Sequence, residues 1–337
     1  MASLESLVKE RYSAAKANND IFIFESSSTQ KKDNGISFEI NFVPTLAKKP
    51  IDEYNKTAKN DTINDNKQPI NPFLNPSPAL IVQENETHRI LLNKFCVLPH
   101  HLLIITKDFQ PQTLPLFPPD LMIGWKTLMT AYGPSSPGLL FYNCGPLSGA
   151  SQPHKHMQLI PLIESGASPI QQAVNKIENS KAGEIYMLDS FPFVHVVTPL
   201  DRQFMDESPE AAVEDYLGQM FFGLLDAMFQ QIRLVDNEKL SNVKPSYNFI
   251  MTSEFMLIVA RRQEYATLTT KDERDLAISI NSMGFAGYLL AKTEDEYEVL
   301  KTVNIMDVLS QVGIPRPLDS SSIADGHIGQ QQTTLAN

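Results

Sequence analysis

The chain is predicted to adopt an α+β fold, a mainly antiparallel sheet flanked by helices. Three features of the sequence point there. Short β-branched and aromatic runs recur along its length, bounded by Gly, Pro, Asn or Asp. A few long segments of helical periodicity stand between them. Neither a G-x-G-x-x-G turn nor a Walker loop marks a parallel nucleotide-binding sheet.

The elements follow in order. Leu4, Leu7, Val8 and Tyr12 share one face of a first helix. Ile21–Phe24 reads as a short strand, and 26–34 as polar and turn-rich. Ile36–Val43 alternates, so Ile36, Phe38, Ile40 and Phe42 are expected on a buried face. Residues 52–68 are rich in Asn, Asp, Lys and Thr; they bury little apolar area and read as a mobile surface loop. Strands are expected over 79–83, 88–92 and 102–106. The four prolines of 109–119 require a loop, and a helix over 120–132 takes Asp120 as its N-cap. Strands over 139–143 and 154–161 enclose a Gly/Ser-rich loop.

The second half repeats these element types. A strand is predicted over 193–198 and a long helix over 208–233, opened by Ser208-Pro209. Residues 247–252 and 255–262 read as a hairpin about Ser253-Glu254. The apolar stretch 278–292 leads into or forms a helix, and 294–309 forms another. The expected organisation is one unit over 1–317 with two related halves, followed by a disordered tail over 318–337.

Composition narrows the function. Of 337 residues, 42% are hydrophobic and 20% charged, ordinary for a soluble globular chain. A net charge of −11 argues against binding nucleic acid through phosphate neutralisation, though local lysines can still serve a small nucleotide. The N-terminus lacks the apolar core of a secretory signal, and no run is long enough to span a membrane. A cytoplasmic location is expected, with nuclear presence compatible. Cys96 and Cys144 have no metal-ligand spacing; spacing alone leaves their pairing open, and reduced thiols are the simpler reading.

The chemistry is concentrated in Gly149-Ala150-Ser151-Gln152-Pro153-His154-Lys155-His156-Met157-Gln158. In a strand, residues two apart share a face, so His154, His156 and Gln158 point one way and Lys155, Met157 and Leu159 the other. The small residues of Gly145–Ser151 suit a loop whose N–H groups approach phosphate closely. Imidazole is largely unprotonated at neutral pH, its unperturbed pKa being about 6.5, which suits covalent nucleotidyl transfer. Half of a metal site and a plain strand face are the competing readings of His-x-His.

This phrase resembles the signature of the histidine-triad and galactose-1-phosphate uridylyltransferase superfamily. The chain is most similar to the fungal diadenosine tetraphosphate phosphorylases, or ATP adenylyltransferases. Leu91–Phe95 running into Leu98–Thr106, then Asn143–Gln158, then Ser279–Gly287 carry the likeness in matching order and spacing. The resemblance implies a sheet of the uridylyltransferase type and reversible phosphorolysis of diadenosine tetraphosphate to ATP and ADP. It makes His156 the nucleophile. His154 then orients the site and stabilises phosphate, with a structural hydrogen bond as its alternative, and Gln158 donates to a substrate oxygen. Gln158 stands where small histidine-triad proteins carry a third histidine, which favours a transferase over a hydrolase.

Nucleotide contacts implied by the same resemblance are Lys48 or Lys49, the pair Asn93 and Lys94, Asn143, the loop Gly149, Ala150, Ser151 and Gln152, and a C-terminal cluster of Asn281, Ser282, Met283, Tyr288 and Lys292. The family tends to methionine where Tyr288 stands. Adenosine 5′-phosphosulfate is a further implied substrate. A divalent cation, Mg2+, is expected on the polyphosphate, with no fixed metal site and no organic cofactor. The expected partners are inorganic phosphate, ATP, ADP and the dinucleotide, bound by a monomer, with no nucleic acid and no membrane. Rival readings are a dinucleotide polyphosphate hydrolase, a non-catalytic dinucleotide sensor and a hexose-1-phosphate uridylyltransferase. His100 and His101 read as structural, and Arg261 and Arg262 as forming ion pairs, with phosphate contact as their alternative.

Overall fold

A chain that alternates apolar and polar residues over many short runs can bury them only by pairing strands. A computed structural model describes residues 2–48, 71–133, 137–162, 167–235, 245–316 and 327–328. The strands are β1 (Phe22–Ile23), β2 (Ser27–Asp33), β3 (Ile36–Phe42), β4 (Ile81–Glu84), β5 (His88–Leu92), β6 (Phe95–Cys96), β7 (Leu102–Thr106), β8 (Gly138–Cys144) and β9 (His156–Pro161). They continue with β10 (Ile185–Tyr186), β11 (His195–Pro199), β12 (Ser246–Met251), β13 (Phe255–Arg261), β14 (Tyr265–Thr269), β15 (Asp275–Ser279), β16 (Tyr288–Ala291) and β17 (His327–Ile328). The helices are α1 (Leu4–Ala17), α2 (Pro118–Thr130), α3 (Gln171–Val174), α4 (Arg202–Glu207), α5 (Glu210–Val235), α6 (Ser282–Ala286), α7 (Glu294–Thr302) and α8 (Ile305–Val312).

Ten strands form one sheet in the order β17-β10-β11-β13-β12-β8-β9-β7-β5-β4. Every neighbouring pair in it is antiparallel. The α+β class with a mainly antiparallel sheet is therefore observed. Both faces are covered, which explains why central strands such as Leu139-Leu140-Phe141-Tyr142 read as unbroken apolar runs. Leu140, Tyr142, Met157 and Leu159 face α1, α2 and α5 through Val8, Leu121, Trp125, Leu217 and Phe221. Leu139, Phe141 and Ile160 face the other way, onto Ile36, Phe38 and Ile40 of β3 and onto Phe285, Leu289 and Leu309. There β3 lies between β2, antiparallel, and β16, parallel. Cys96 and Cys144 are buried free thiols.

Several expectations change. The polar stretch after Ser26 is the edge strand β2, joined to β3 by Asn34-Gly35, whose φ values of 45° and 76° suit a tight hairpin. Phe42 is only half-buried and stacks on Tyr297 at 5.0 Å. Asp120 is not the N-cap of α2: Pro118-Pro119 open that helix, and Asp120 accepts from the Phe117 N–H at 2.8 Å. The stretch 278–292 is divided into the end of β15, the short α6 and β16. The helix expected over 294–309 is two, because Asn304 accepts from Asp307 N at 3.0 Å while Asp33 accepts from Ile305 N at 2.6 Å, so α8 is capped anew. The loop 52–68 and most of the tail lie outside the described residues.

Candidate active site

The geometry is set where β8 and β9 stop pairing. Their ladder runs from Gly138 opposite Pro161 to Phe141 opposite Gln158. Beyond it, the buried Gln112 side chain stands in for the missing rungs. Its Oε1 accepts from His156 N at 2.8 Å, and its Nε2 donates to Asn143 O at 2.8 Å and His156 O at 3.2 Å. Gln112 N donates to Pro153 O, so the proline-rich loop is tied to the same point. The sequence reading missed this residue.

His156 opens β9 and is 3% exposed. Its Nδ1–H donates to the carbonyl of His154 at 2.8 Å. The lone pair therefore resides on Nε2. Burial disfavours the imidazolium and pushes the pKa down to about 4, against the opposing bond to the His154 carbonyl. The ring is neutral at physiological pH, with the Nε2 lone pair that nucleophilic attack requires.

His154 lies just outside β9, and both its ring nitrogens are engaged within the protein. Nε2–H donates to Thr106 O at 2.9 Å, and Nδ1 accepts from Asn71 Nδ2 at 3.0 Å. Phe73 and Phe109 pack against the ring, with centroids 5.8 and 5.4 Å away. Both ring nitrogens are thus bonded within the protein, and His154 reaches His156 through its backbone carbonyl.

Gln158 faces the same side as His156. Its Oε1 accepts from His101 Nε2–H at 3.0 Å, and His101 Nδ1 accepts from Asn93 Nδ2 at 3.2 Å. Burial pushes the His101 pKa down to about 4, so this relay is neutral. With its oxygen occupied, Gln158 offers a ligand the donors of its amide. Asn93 serves the relay and also caps Phe95 N at 3.0 Å, while Lys94 lies over the Phe22 ring at 5.7 Å. His101 belongs to the site framework, a role that the sequence left at "structural".

On the opposite face of β9, Lys155 is buried in an ion pair with Asp120, which also bonds His88 Nε2 at 2.9 Å. Burial opposes ionisation of Asp120, yet the bonds from His88 and Lys155 hold its carboxyl below the usual range. This pairing fixes the strand segment between the two histidines to α2.

The Gly/Ser loop and the C-terminal cluster meet. Gly149 has φ 77°, and a Cβ there would lie 2.8 Å from Ile280 O and 2.9 Å from Asn281 Cβ. Ala150 and Gln152 are partly exposed and Ser151 is exposed. Asn281 caps α6 by accepting from Met283 N at 2.9 Å. Ser282 is buried, and its N–H and Oγ–H donate to Asn143 Oδ1 at 2.9 and 2.7 Å. Asn143 is thus a strut whose oxygen is committed within the protein, leaving its N–H donors as the groups it can offer.

Tyr288 and Lys292 stand on and just after β16. Because β16 runs parallel to β3, Lys292 and the turn Pro44–Lys48 leave the same end of that small sheet. Lys49 lies outside the described residues. Arg261 and Arg262 were expected in ion pairs; their N–H groups go instead to oxygens of Asn248, Gln263, Val312, Ser310 and Gln311. Among the described residues no three His, Cys, Asp or Glu side chains gather as a metal site.

Two family models cover the chain. The Ap4A phosphorylase N-terminal domain matches residues 1–176, and the ATP adenylyltransferase C-terminal domain matches residues 189–315. This chain belongs to the Ap4A phosphorylase family. Diadenosine 5′,5‴-P1,P4-tetraphosphate phosphorylase 2 of Saccharomyces cerevisiae is 30% identical over 331 residues, 93% of this chain and 95% of that protein. The crystal structure of yeast Ap4A phosphorylase Apa2 superposes with a TM-score of 0.76 at 26% identity, covering 95% of this chain and 97% of that one. The yeast structure in complex with Ap4A gives 0.73, also at 26% identity, with 93% and 98% covered. The segments that the two family models match share one continuous sheet, since β8 of the first pairs directly with β12 of the second.

Proposed function

We infer that this chain cleaves diadenosine tetraphosphate by phosphorolysis, through an adenylyl group carried on His156. The observation that carries the reading is the tautomer of His156: Nδ1–H is held by the His154 carbonyl at 2.8 Å, so Nε2 bears the lone pair. Family membership supplies the substrate class.

Nε2 attacks the α-phosphorus of one adenosine. The bond from that phosphorus to the bridging oxygen breaks, and ATP leaves with the electron pair. Positive charge develops on the imidazole, where the Nδ1–H bond to His154 O strengthens. Gln158 donates N–H to a phosphoryl oxygen, and the N–H groups of Gly149–Gln152 face the same charge. An oxygen of inorganic phosphate then attacks the phosphorus. The P–N bond breaks, its electrons return to Nε2, and ADP leaves. The reverse sequence makes dinucleotide from ATP and ADP.

Divalent cation, Mg2+, accompanies the polyphosphate as part of the substrate. One of Lys48 and Lys49, together with Lys94 and Lys292, supplies the cations assigned to the nucleotide phosphates. Adenosine 5′-phosphosulfate presents the same α-phosphoryl group with sulfate as leaving group, so it is a second substrate of this reading. The enzyme is read as a cytoplasmic monomer; no helix among the described residues is long and apolar enough to cross a membrane.

Turnover in 18O-labelled inorganic phosphate tests the reading. Label is expected in the β-phosphoryl group of ADP. Formation of AMP and ATP, with no label in ADP, would replace phosphorolysis with hydrolysis.

A further inference from the structure

The sheet order is a palindrome in connectivity. One half runs β7, α2, β8, β9; the other runs β11, α5, β12, β13; and the halves meet at the β8–β12 pair. Tyr142-Asn143 on β8 and Tyr247-Asn248 on β12 are the same dipeptide, and Asn143 lies opposite Asn248. Ser246, two residues before Asn248 on β12, pairs with Arg261 of β13.

Arg261 is 2% exposed and aimed at Asn248. Its Nη1 donates to Asn248 Oδ1 and, at 3.5 Å, to Ser148 O of the Gly/Ser loop. Its Nε donates to Val312 O at 3.2 Å and Nη2 to Gln263 O at 2.8 Å. Asn248 Nδ2 donates to Asn143 Oδ1 at 2.8 Å and to Ser148 O at 2.9 Å. A guanidinium has donors and no acceptor. Its bond to Asn248 dictates that this amide presents oxygen to Arg261 and N–H to Asn143. Asn143 must then accept through its oxygen, which Ser282 N–H and Oγ–H also require.

We propose that Arg261 is a positioning residue that sets the polarity of an Arg261→Asn248→Asn143 donor chain, so that Asn143 presents N–H groups to the bound nucleotide and the Gly/Ser loop is held by Ser148 O. A cation buried at the end of β13 thus prepares an anion-binding donor on β8. Desolvation pushes the Arg261 pKa down to about 9, the cost of placing a charge there without a bonded carboxylate. The proposal rests on the phosphorolysis reading and on Asn143 as one of the nucleotide contacts that the family resemblance implies.

Three variants test it at temperatures where each is folded: Arg261→Met, Arg261→Lys and Asn248→Asp. AMP affinity is measured by calorimetry, and formation of the AMP–protein adduct from Ap4A in single turnover. Arg261→Met should weaken AMP binding and slow adduct formation about tenfold or more, the scale of one charge-assisted hydrogen bond. Arg261→Lys should recover part of that loss. Asn248→Asp keeps the partner of Arg261 but has no N–H for Asn143, so it should lose AMP affinity as Arg261→Met does. If Arg261→Met does not fold, Asn248→Asp decides. AMP affinity equal to wild type in Asn248→Asp, or in both variants, overturns the proposal. Adduct formation by the wild type separately decides the phosphorolysis reading, since AMP affinity ratios do not depend on it.

Discussion

His156 is kept neutral by burial and kept in one tautomer by a single carbonyl, and the nucleophilic role proposed for it rests on these two facts. Its conjugate acid lies near 4 rather than near the ordinary 6.5. The free base therefore persists throughout the weakly acidic range. We predict that kcat/KM for Ap4A in the His156 limb falls only below about pH 5, with a midpoint well under the unperturbed value of about 6.5. A pH–rate profile with a His-dependent midpoint near 6.5 would mean that the ring is solvated in the working enzyme. His156 was legible from strand alternation and residue type. His154 was legible as a neighbour but not as a strut, because its two partners, Asn71 and Thr106, come from segments remote in sequence.

At the scale of elements, the site exists because β8 and β9 part after Phe141 and Gln158 and one carboxamide fills the gap. Gln112→Leu would leave His156 N–H and two carbonyls without partners in a buried place. The expected loss is about 3 kcal/mol in urea unfolding, with slower adduct formation, since unpaired buried groups cost about 1–3 kcal/mol each. An unchanged midpoint and slope would remove Gln112 from the framework. Nothing in the local pattern of the proline-rich loop marks Gln112; only the topology brings it to β9. The β2–β3 hairpin is the opposite case. Asn34-Gly35 is a strong local turn signal, yet Ser27–Asp33 is polar on both faces, so apolar periodicity could not reveal an edge strand stabilised by its ladder to β3. The division at Asn304 was also written locally, as a cap residue, and was obscured by apolar residues on both sides of it.

At the scale of the whole molecule, three buried imidazoles set the acid limit of the fold. His101 and His156 are pushed down to about 4 and His195 to about 3, each mainly by burial. The unfolded chain binds these protons near pH 6.5, whereas the folded chain resists them until pH 4 or lower. Stability is therefore full above about pH 6.5 and is lost progressively as pH falls toward 4. Thermal melting followed from pH 7.5 to 4.5 should show a falling midpoint, steeper than in a variant with His195 replaced by Gln. A flat profile would mean that these histidines are hydrated. The fold class was readable from strand recurrence, and the element types of the second half were readable too. The contacts of Arg261 were not, because they reach Asn248 on β12, Ser148 in the Gly/Ser loop and Val312 at the end of α8, all remote from it in sequence.

The central claim is that His156 carries AMP between two half-reactions. Intact-mass measurement of the protein mixed with Ap4A in the absence of phosphate tests it most directly. The account predicts a gain of one adenylyl group on the wild-type chain, its loss with release of ADP when phosphate is added, and no adduct on His156→Ala. An adduct that survives in His156→Ala, or a wild-type chain that turns over Ap4A and phosphate without ever gaining mass, would contradict it.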